Sequence, residues 1–217
     1  MTPADRLQRI RDDIAAAAKL ARRDPADITL IAVSKTRDAA AIEPLIAAGQ
    51  RHFGESRVQE ALAKWPPLRY RHPGLTLHCI GRLQSNKAGA AVRLFDVIHS
   101  LDRPSLLAAL VAEAGEQARA PALYVQVNIG DEAQKGGCAI GEAGDLLAAV
   151  RASPLPLAGL MAIPPLGVEP APFFALLAEL AQRHGVTGLS MGMSADYRAA
   201  VMLGATAVRV GTALFED

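Results

Sequence analysis

Apolar positions in this chain gather into short blocks, and the stretches between the blocks follow a different period. Residues 29–34, Thr-Leu-Ile-Ala-Val-Ser, form an almost unbroken and partly β-branched apolar run, the pattern of a strand buried on both faces. Comparable runs predict strands at 51–54, 76–81, 97–101, 123–129, 157–163, 188–191 and 207–210. Between them, apolar residues fall three and four apart, the period of a helix with one buried face. The clearest such stretch is 104–117, where Leu106, Leu107, Leu110, Val111 and Ala114 mark one stripe. Further helices are predicted at 39–48, 58–65, 87–94, 142–152, 172–184 and 195–203. One helix precedes the first strand: Thr2-Pro3 is a start signal, and Leu7, Ile10, Ile14, Ala17 and Ala21 give its apolar face. Pro66-Pro67 and Pro164-Pro165 read as loop punctuation.

Strict alternation of strand and helix argues for a parallel sheet. Spread over eight units, 217 residues give about 27 per unit, which suits a compact (β/α)8 TIM barrel. The pattern predicts an α/β fold with one such barrel over 1–217, no helix after the last strand, and the extra N-terminal helix filling the gap left there. A doubly wound sheet is the alternative. It ordinarily uses fewer strands, and the G-x-G-x-x-G fingerprint is missing after the first strand.

Composition narrows the function classes. The chain is 51% hydrophobic and 21% charged, which excludes a disordered protein. With 23 Lys and Arg against 22 Asp and Glu, the net charge is +1, too balanced for the basic face that binds a phosphate backbone. Cys79 and Cys138 lie far apart with no Cys-x-x-Cys spacing or His-rich tract, so two reduced thiols are expected rather than a disulfide framework or a metal site. The charged N-terminus lacks a signal-peptide pattern, and no apolar run approaches the roughly 18 residues of a membrane span. A soluble cytoplasmic protein is the expectation.

In such a barrel, ligands bind at the C-terminal ends of the strands. Lys35 stands directly after the first apolar run. It is either an ordinary solvated lysine or an amine desolvated enough to form a Schiff base. The loops after strands seven and eight are the usual phosphate sites. Gly192, Met193 and Ser194 leave the seventh run, and Arg209, Gly211 and Thr212 leave the eighth, each loop offering a glycine and a hydroxyl. Ser194 could equally cap the next helix, and Arg209 could be a structural ion pair. A carbonyl trap beside a phosphate cradle suits a phosphorylated aldehyde, and pyridoxal 5'-phosphate (PLP) is the common cofactor of that kind.

The blocks that carry these residues resemble the YggS/PROSC family of PLP homeostasis proteins. The match runs through Ala32-Val33-Ser34-Lys35-Thr36, His52-Phe53-Gly54-Glu55-Ser56 with Val58-Gln59-Glu60, and His78 to Lys87. It continues through Gln126-Val127-Asn128-Ile129, Gly159 to Pro164, Leu189 to Asp196 and Val208 to Phe215. The resemblance implies a barrel like the N-terminal domain of alanine racemase, with Lys35 joined to PLP as an aldimine. By the same match Ser194, Gly211, Thr212 and the Gly192-Met193 amides hold the phosphate, and Arg209 faces the pyridine nitrogen. An arginine only donates, so the ring nitrogen there stays unprotonated and the ring is a weakened electron sink. Two departures stand out. Gly54-Glu55-Ser56 replaces the family's Gly-Glu-Asn, and the sequence stops at Phe215-Glu216-Asp217 without the family's basic tail.

The family implies a non-catalytic PLP carrier, a monomer, that supplies PLP-dependent client enzymes. The alternatives are a weak amino-acid racemase, which needs a second acid/base group on the opposite ring face, and a Schiff-base aldolase acting through Lys35 without cofactor. His78 is expected to be a hydrogen-bonded core histidine and Ser85 a helix cap or a ligand contact, while His52, His72, His99 and His184 show no metal-ligand spacing.

Overall fold

The computed structural model describes residues 1–132 and 134–216, so Asp217, the last residue of the tail noted above, lies outside the described residues. Strand and helix alternate from α1 (Pro3–Leu20) through β1 (Thr29–Val33), α2 (Ala39–Ala47), β2 (His52–Glu55), α3 (Val58–Arg71) and β3 (Thr76–Cys79). The order continues with α4 (Ala88–Leu94), β4 (Val97–Leu101), α5 (Pro104–Gln117), β5 (Ala122–Gln126), α6 (Ala143–Ala152) and β6 (Leu157–Met161). It closes with α7 (Ala171–Arg183), β7 (Leu189–Ser190), α8 (Tyr197–Met202), β8 (Ala207–Val210) and α9 (Thr212–Phe215). The strands pair in chain order, all parallel, and β8 returns to β1 to close an eight-stranded barrel.

The barrel sits inside a ring of helices whose apolar faces turn inward. Phe53 of β2 lies against Trp65 of α3, ring centroids 5.1 Å apart and both side chains fully buried. Burial of side chains this large is worth roughly 1.5–3 kcal/mol each, which is why the alternating pattern was legible. Helix α1 begins with a reciprocal cap between Thr2 and Asp5 and packs on α8, α9 and α2. It therefore covers the seam between the last and first units from outside.

Four expectations need correction. Pro66 and Pro67 lie inside α3 rather than ending it. Both are exposed, so their rings face water, and the carbonyls they deprive of a partner can be hydrated instead. A short helix, α9, follows β8 where none was predicted. Several strands are shorter than their apolar runs: β5 ends at Gln126, after which Val127 and Ile129 stay buried in a loop that bridges to Cys138. Helix α8 begins at Tyr197 because Met193–Asp196 forms a turn, with the Met193 amide donating to Asp196 Oδ1 at 2.5 Å.

Candidate functional site

Pairing of β7, β8 and β1 brings the residues singled out in the sequence to one sector of the rim. Arg209 lies level with Ile31, and Val210 with Ala32. Gly211 then follows Val33 so closely that a Cβ there would sit 3.3 Å from the Val33 side chain and carbonyl. Lys35 is two residues further along the same strand exit. From the other side, Ser194 Oγ accepts the Gly211 amide at 3.2 Å and the Ala213 amide at 3.5 Å. Ser194 thus ties the loops after β7 and β8 together and makes no cap for its own helix. Gly192 is required twice over: its φ is +93°, and an added Cβ would lie 2.5 Å from that of Ala200. Met193 and Thr212 are exposed beside it.

Lys35 is exposed, the solvated rather than the desolvated of its two alternatives, and among the described residues its side chain has no hydrogen-bonding or ionic partner. The turn that carries it is tightly held. Thr36 has a φ of +62°, a left-handed conformation that costs a β-branched residue roughly 1–3 kcal/mol. The Thr36 amide donates to Glu60 Oε1 at 2.6 Å, and Lys64 Nζ donates to the carbonyls of Ser34 and Arg37, each at 2.8 Å. Lys64 also pairs with Glu55 Oε1 at 2.8 Å, the two side chains being 8% and 0% exposed. The same oxygen accepts the Ser34 hydroxyl at 2.7 Å and the Trp65 indole N–H at 2.9 Å. The Lys35 amine is thus free at its tip while the turn that carries it is fixed. Sequence reasoning missed Lys64, whose only signal was its i+4 spacing from Glu60.

Arg209 is the opposite case. It is 4% exposed, and among the described residues no carboxylate lies within ion-pair distance, which removes the structural-pair alternative. Its Nη1 donates to Ser190 Oγ at 2.6 Å and its Nη2 to the Ala162 carbonyl at 3.0 Å. Burial lowers its pKa to about 10, with Asp196 and Tyr124 acting in the opposite sense.

Beneath it lies a feature the sequence did not reveal. His99 Nδ1 meets Ser190 Oγ at 2.8 Å, His78 Nδ1 meets His99 Nε2 at 2.9 Å, and His52 Nδ1 meets His78 Nε2 at 3.1 Å. Tyr124 stacks on His99 with centroids 4.4 Å apart. Burial lowers the pKa of all three histidines, to about 3 for His78, with neighbouring charges adding to the effect at His78 and His99. They lie 26 and 21 positions apart, about one βα unit each, and that spacing was the available signal. His78 is the hydrogen-bonded core histidine foreseen. Ser85 accepts from Arg103 at 3.1 Å and caps no helix. Both cysteines are buried and free, their thiols pushed up to about 12 at Cys79 and about 11 at Cys138, chiefly by burial. Among the described residues no group of three or more His, Cys, Asp or Glu is placed to hold a metal ion, and no helix is long and apolar enough to cross a membrane.

A hollow of about 310 Å³ opens at the strand ends, lined by Ser56, Arg82, Gln126, Asn128, Lys135 and Ile163 among others. Ser56, where the family pattern has Asn, therefore does face the mouth. A larger cleft of about 660 Å³ reaches Ser194 and Ala213 from the side of α1 and α8 and is lined by neither Lys35 nor Arg209. The chemistry is thus better located by its donors than by cleft size.

Comparison with known proteins bears on the family and the fold. Residues 6–217 match the family described as alanine racemase, N-terminal domain. The pyridoxal phosphate homeostasis protein of Escherichia coli K12 is 40% identical over 98% of this chain and 95% of its own. PipY of Synechococcus elongatus PCC7942, solved with PLP bound, is 43% identical over 99% of this chain and all of its own, with a TM-score of 0.83. An alanine racemase of Clostridium difficile 630 shares the fold at 14% identity and a TM-score of 0.72, the match covering 56% of that protein. The chain belongs to the alanine racemase N-terminal domain family, and within it to the pyridoxal phosphate homeostasis proteins.

Proposed function

We propose that this chain holds PLP through Lys35 and serves PLP supply in the cell as a monomeric cytoplasmic carrier for PLP-dependent enzymes, without robust catalysis of its own. The observation that carries the reading is the free Lys35 amine on its clamped turn, in a chain 43% identical to a protein solved with PLP bound. The residues fit the group. Ser194, Gly211 and Thr212, with the Gly192-Met193 turn, would hold the phosphate, and Gly192 is needed where a Cβ would strike Ala200. Two of the five N–H groups of Arg209 are engaged, which leaves three donors for a ring nitrogen. When bound, PLP supplies an aldehyde that condenses with an amine and a ring that withdraws electrons.

The protein's own groups favour holding over turnover. Arg209 donates without giving up its proton, so it orients a ring nitrogen but does not protonate it. The homeostasis relative from E. coli is matched over 95% of its length and the racemase over 56%, which supports the carrier over the racemase.

The test is a PLP titration followed by visible absorption, with a steady-state racemisation assay on alanine and serine. The carrier reading expects a yellow protein with saturable binding and no turnover at rates typical of enzymes, about 1 per second or more. Robust racemisation overturns it in favour of a racemase. A protein that stays colourless with PLP leaves sugar-phosphate aldolase chemistry at Lys35 as the reading to pursue.

A further inference from the structure

The interior of such a barrel is ordinarily filled by Val, Ile and Leu. Here three imidazoles occupy it, joined end to end and then to Ser190 and Arg209. Buried polar groups of this kind are tolerated only when each has a partner, and the partners here fix a direction.

A guanidinium has donors only, so Ser190 Oγ must accept from Arg209. The hydroxyl has one hydrogen of its own, and His99 Nδ1 is its other partner at 2.8 Å. Were His99 to donate there instead, Ser190 would accept twice and its hydrogen would be stranded in a fully buried position. Nδ1 of His99 is therefore the acceptor. A neutral imidazole has one donor and one acceptor, so His99 carries its proton on Nε2 and gives it to His78 Nδ1. His78 in turn gives from Nε2 to His52 Nδ1, and His52 lines a cleft of about 540 Å³ at the N-terminal end of the barrel. Burial keeps the rings neutral, and Tyr124 stacked on His99 fixes that ring's plane.

We propose that Ser190, His99, His78 and His52 form a one-way hydrogen-bonded column that positions Arg209 as a donor toward the ring nitrogen of the bound ligand, each histidine holding its proton on Nε2. The proposal rests on the PLP reading for the ligand but not for the column itself. Ser190 and His99 are positioning residues acting through Arg209. Without the Ser190 hydroxyl, Nη1 of Arg209 loses its acceptor and Nδ1 of His99 its donor.

The test has a ligand-free half and a loaded half. Imidazole nitrogen NMR of the ligand-free protein should show three neutral rings protonated on Nε2. In Ser190→Ala the His99 signal should become a mixture of tautomers, and in Ser190→Thr, which keeps the hydroxyl, it should return. With PLP, Ser190→Ala should still form a borohydride-stable adduct on Lys35, with affinity reduced about tenfold and its visible band shifted, and Ser190→Thr should restore both. If Ser190→Ala does not fold, His99→Asn takes its place: the amide oxygen still accepts from Ser190, so the visible band should stay and the ordered His78 tautomer should be lost. An Nδ1-protonated ring in the wild type, or a Ser190→Ala protein with unchanged tautomers and spectrum, overturns the column. Failure of the wild type to take up PLP overturns the ligand reading and leaves the NMR result to decide the column.

Discussion

The exits of β1 and β8 each carry one cation to the same sector of the rim, and the two are treated in opposite ways. Lys35 is exposed and has no side-chain partner among the described residues, while the backbone around it is clamped by Lys64 and Glu60. Arg209 is buried, and its guanidinium is held by Ser190 and Ala162. On the proposed reading, an amine that forms and breaks a bond with a ligand needs freedom at its tip and a fixed base. A donor that must only orient a ring needs the reverse. The supporting groups differ accordingly: a buried ion pair under β1, and neutral hydrogen-bonded rings under β8.

The largest expected effect removes the support on the β1 side. Glu55→Ala leaves the buried Lys64 ammonium with only the longer pair to Glu60, at 3.3 Å, and removes the acceptor of Ser34 and Trp65. Loss of one partner of a buried pair typically costs about 3–5 kcal/mol, so urea unfolding should show a destabilisation of that size. A cost below about 1 kcal/mol would mean that the clamp is not held as described.

The β8 side should respond to acid instead. Both His78 and His99 are held below their ordinary value of 6.5, His78 at about 3. As pH falls below 6.5 the unfolded chain takes up protons that the native state refuses. The stability that depends on neutral rings is thus complete above pH 6.5 and is lost progressively toward pH 3. Each ring contributes a slope of about 1.4 kcal/mol per pH unit. Between pH 7 and pH 5 the wild type should lose about 2 kcal/mol more than His78→Gln, which cannot titrate. Equal losses in parallel denaturant melts would contradict the neutral column.

Gly192→Ala tests the loop between the two cations. The positive φ and the approach to Ala200 predict a destabilisation of about 1–3 kcal/mol together with weaker PLP binding. Stability lost with affinity unchanged would remove that loop from the site. Glu179→Ala serves as the outside control: its pair with Arg183 on α7 is exposed on both sides, so thermal melting should register less than about 0.5 kcal/mol.

How far the sequence could be read follows from the same physics. Helix α5 was predicted residue for residue because Pro104 starts it and its apolar stripe is unbroken. β1 and β8 were nearly as clear, β1 as an almost continuous apolar run and β8 as one interrupted only by Arg209. The overrun at β5 arose because Val127 and Ile129 are buried in a loop, and burial without pairing looks the same in a sequence as burial within a strand. Pro66 and Pro67 misled because helix-breaking depends on whether the freed carbonyls reach water, which is a tertiary fact. At the site, Lys35 and Ser194 announced themselves by position after apolar runs, and Arg209 by its charge near the end of one. Lys64 and the histidines did not, since the contacts that define them cross from one βα unit to another and have no local pattern.

The most direct test of the account locates the amine that captures PLP. The purified protein is incubated with PLP, reduced with borohydride, digested and mapped by mass spectrometry, alongside Lys35→Ala. The account predicts one stoichiometric adduct on Lys35, with the variant unlabelled and its affinity lower by about two orders of magnitude, roughly 3 kcal/mol. An adduct on Lys135 at the mouth or on Lys64, or an equally labelled variant, would contradict it.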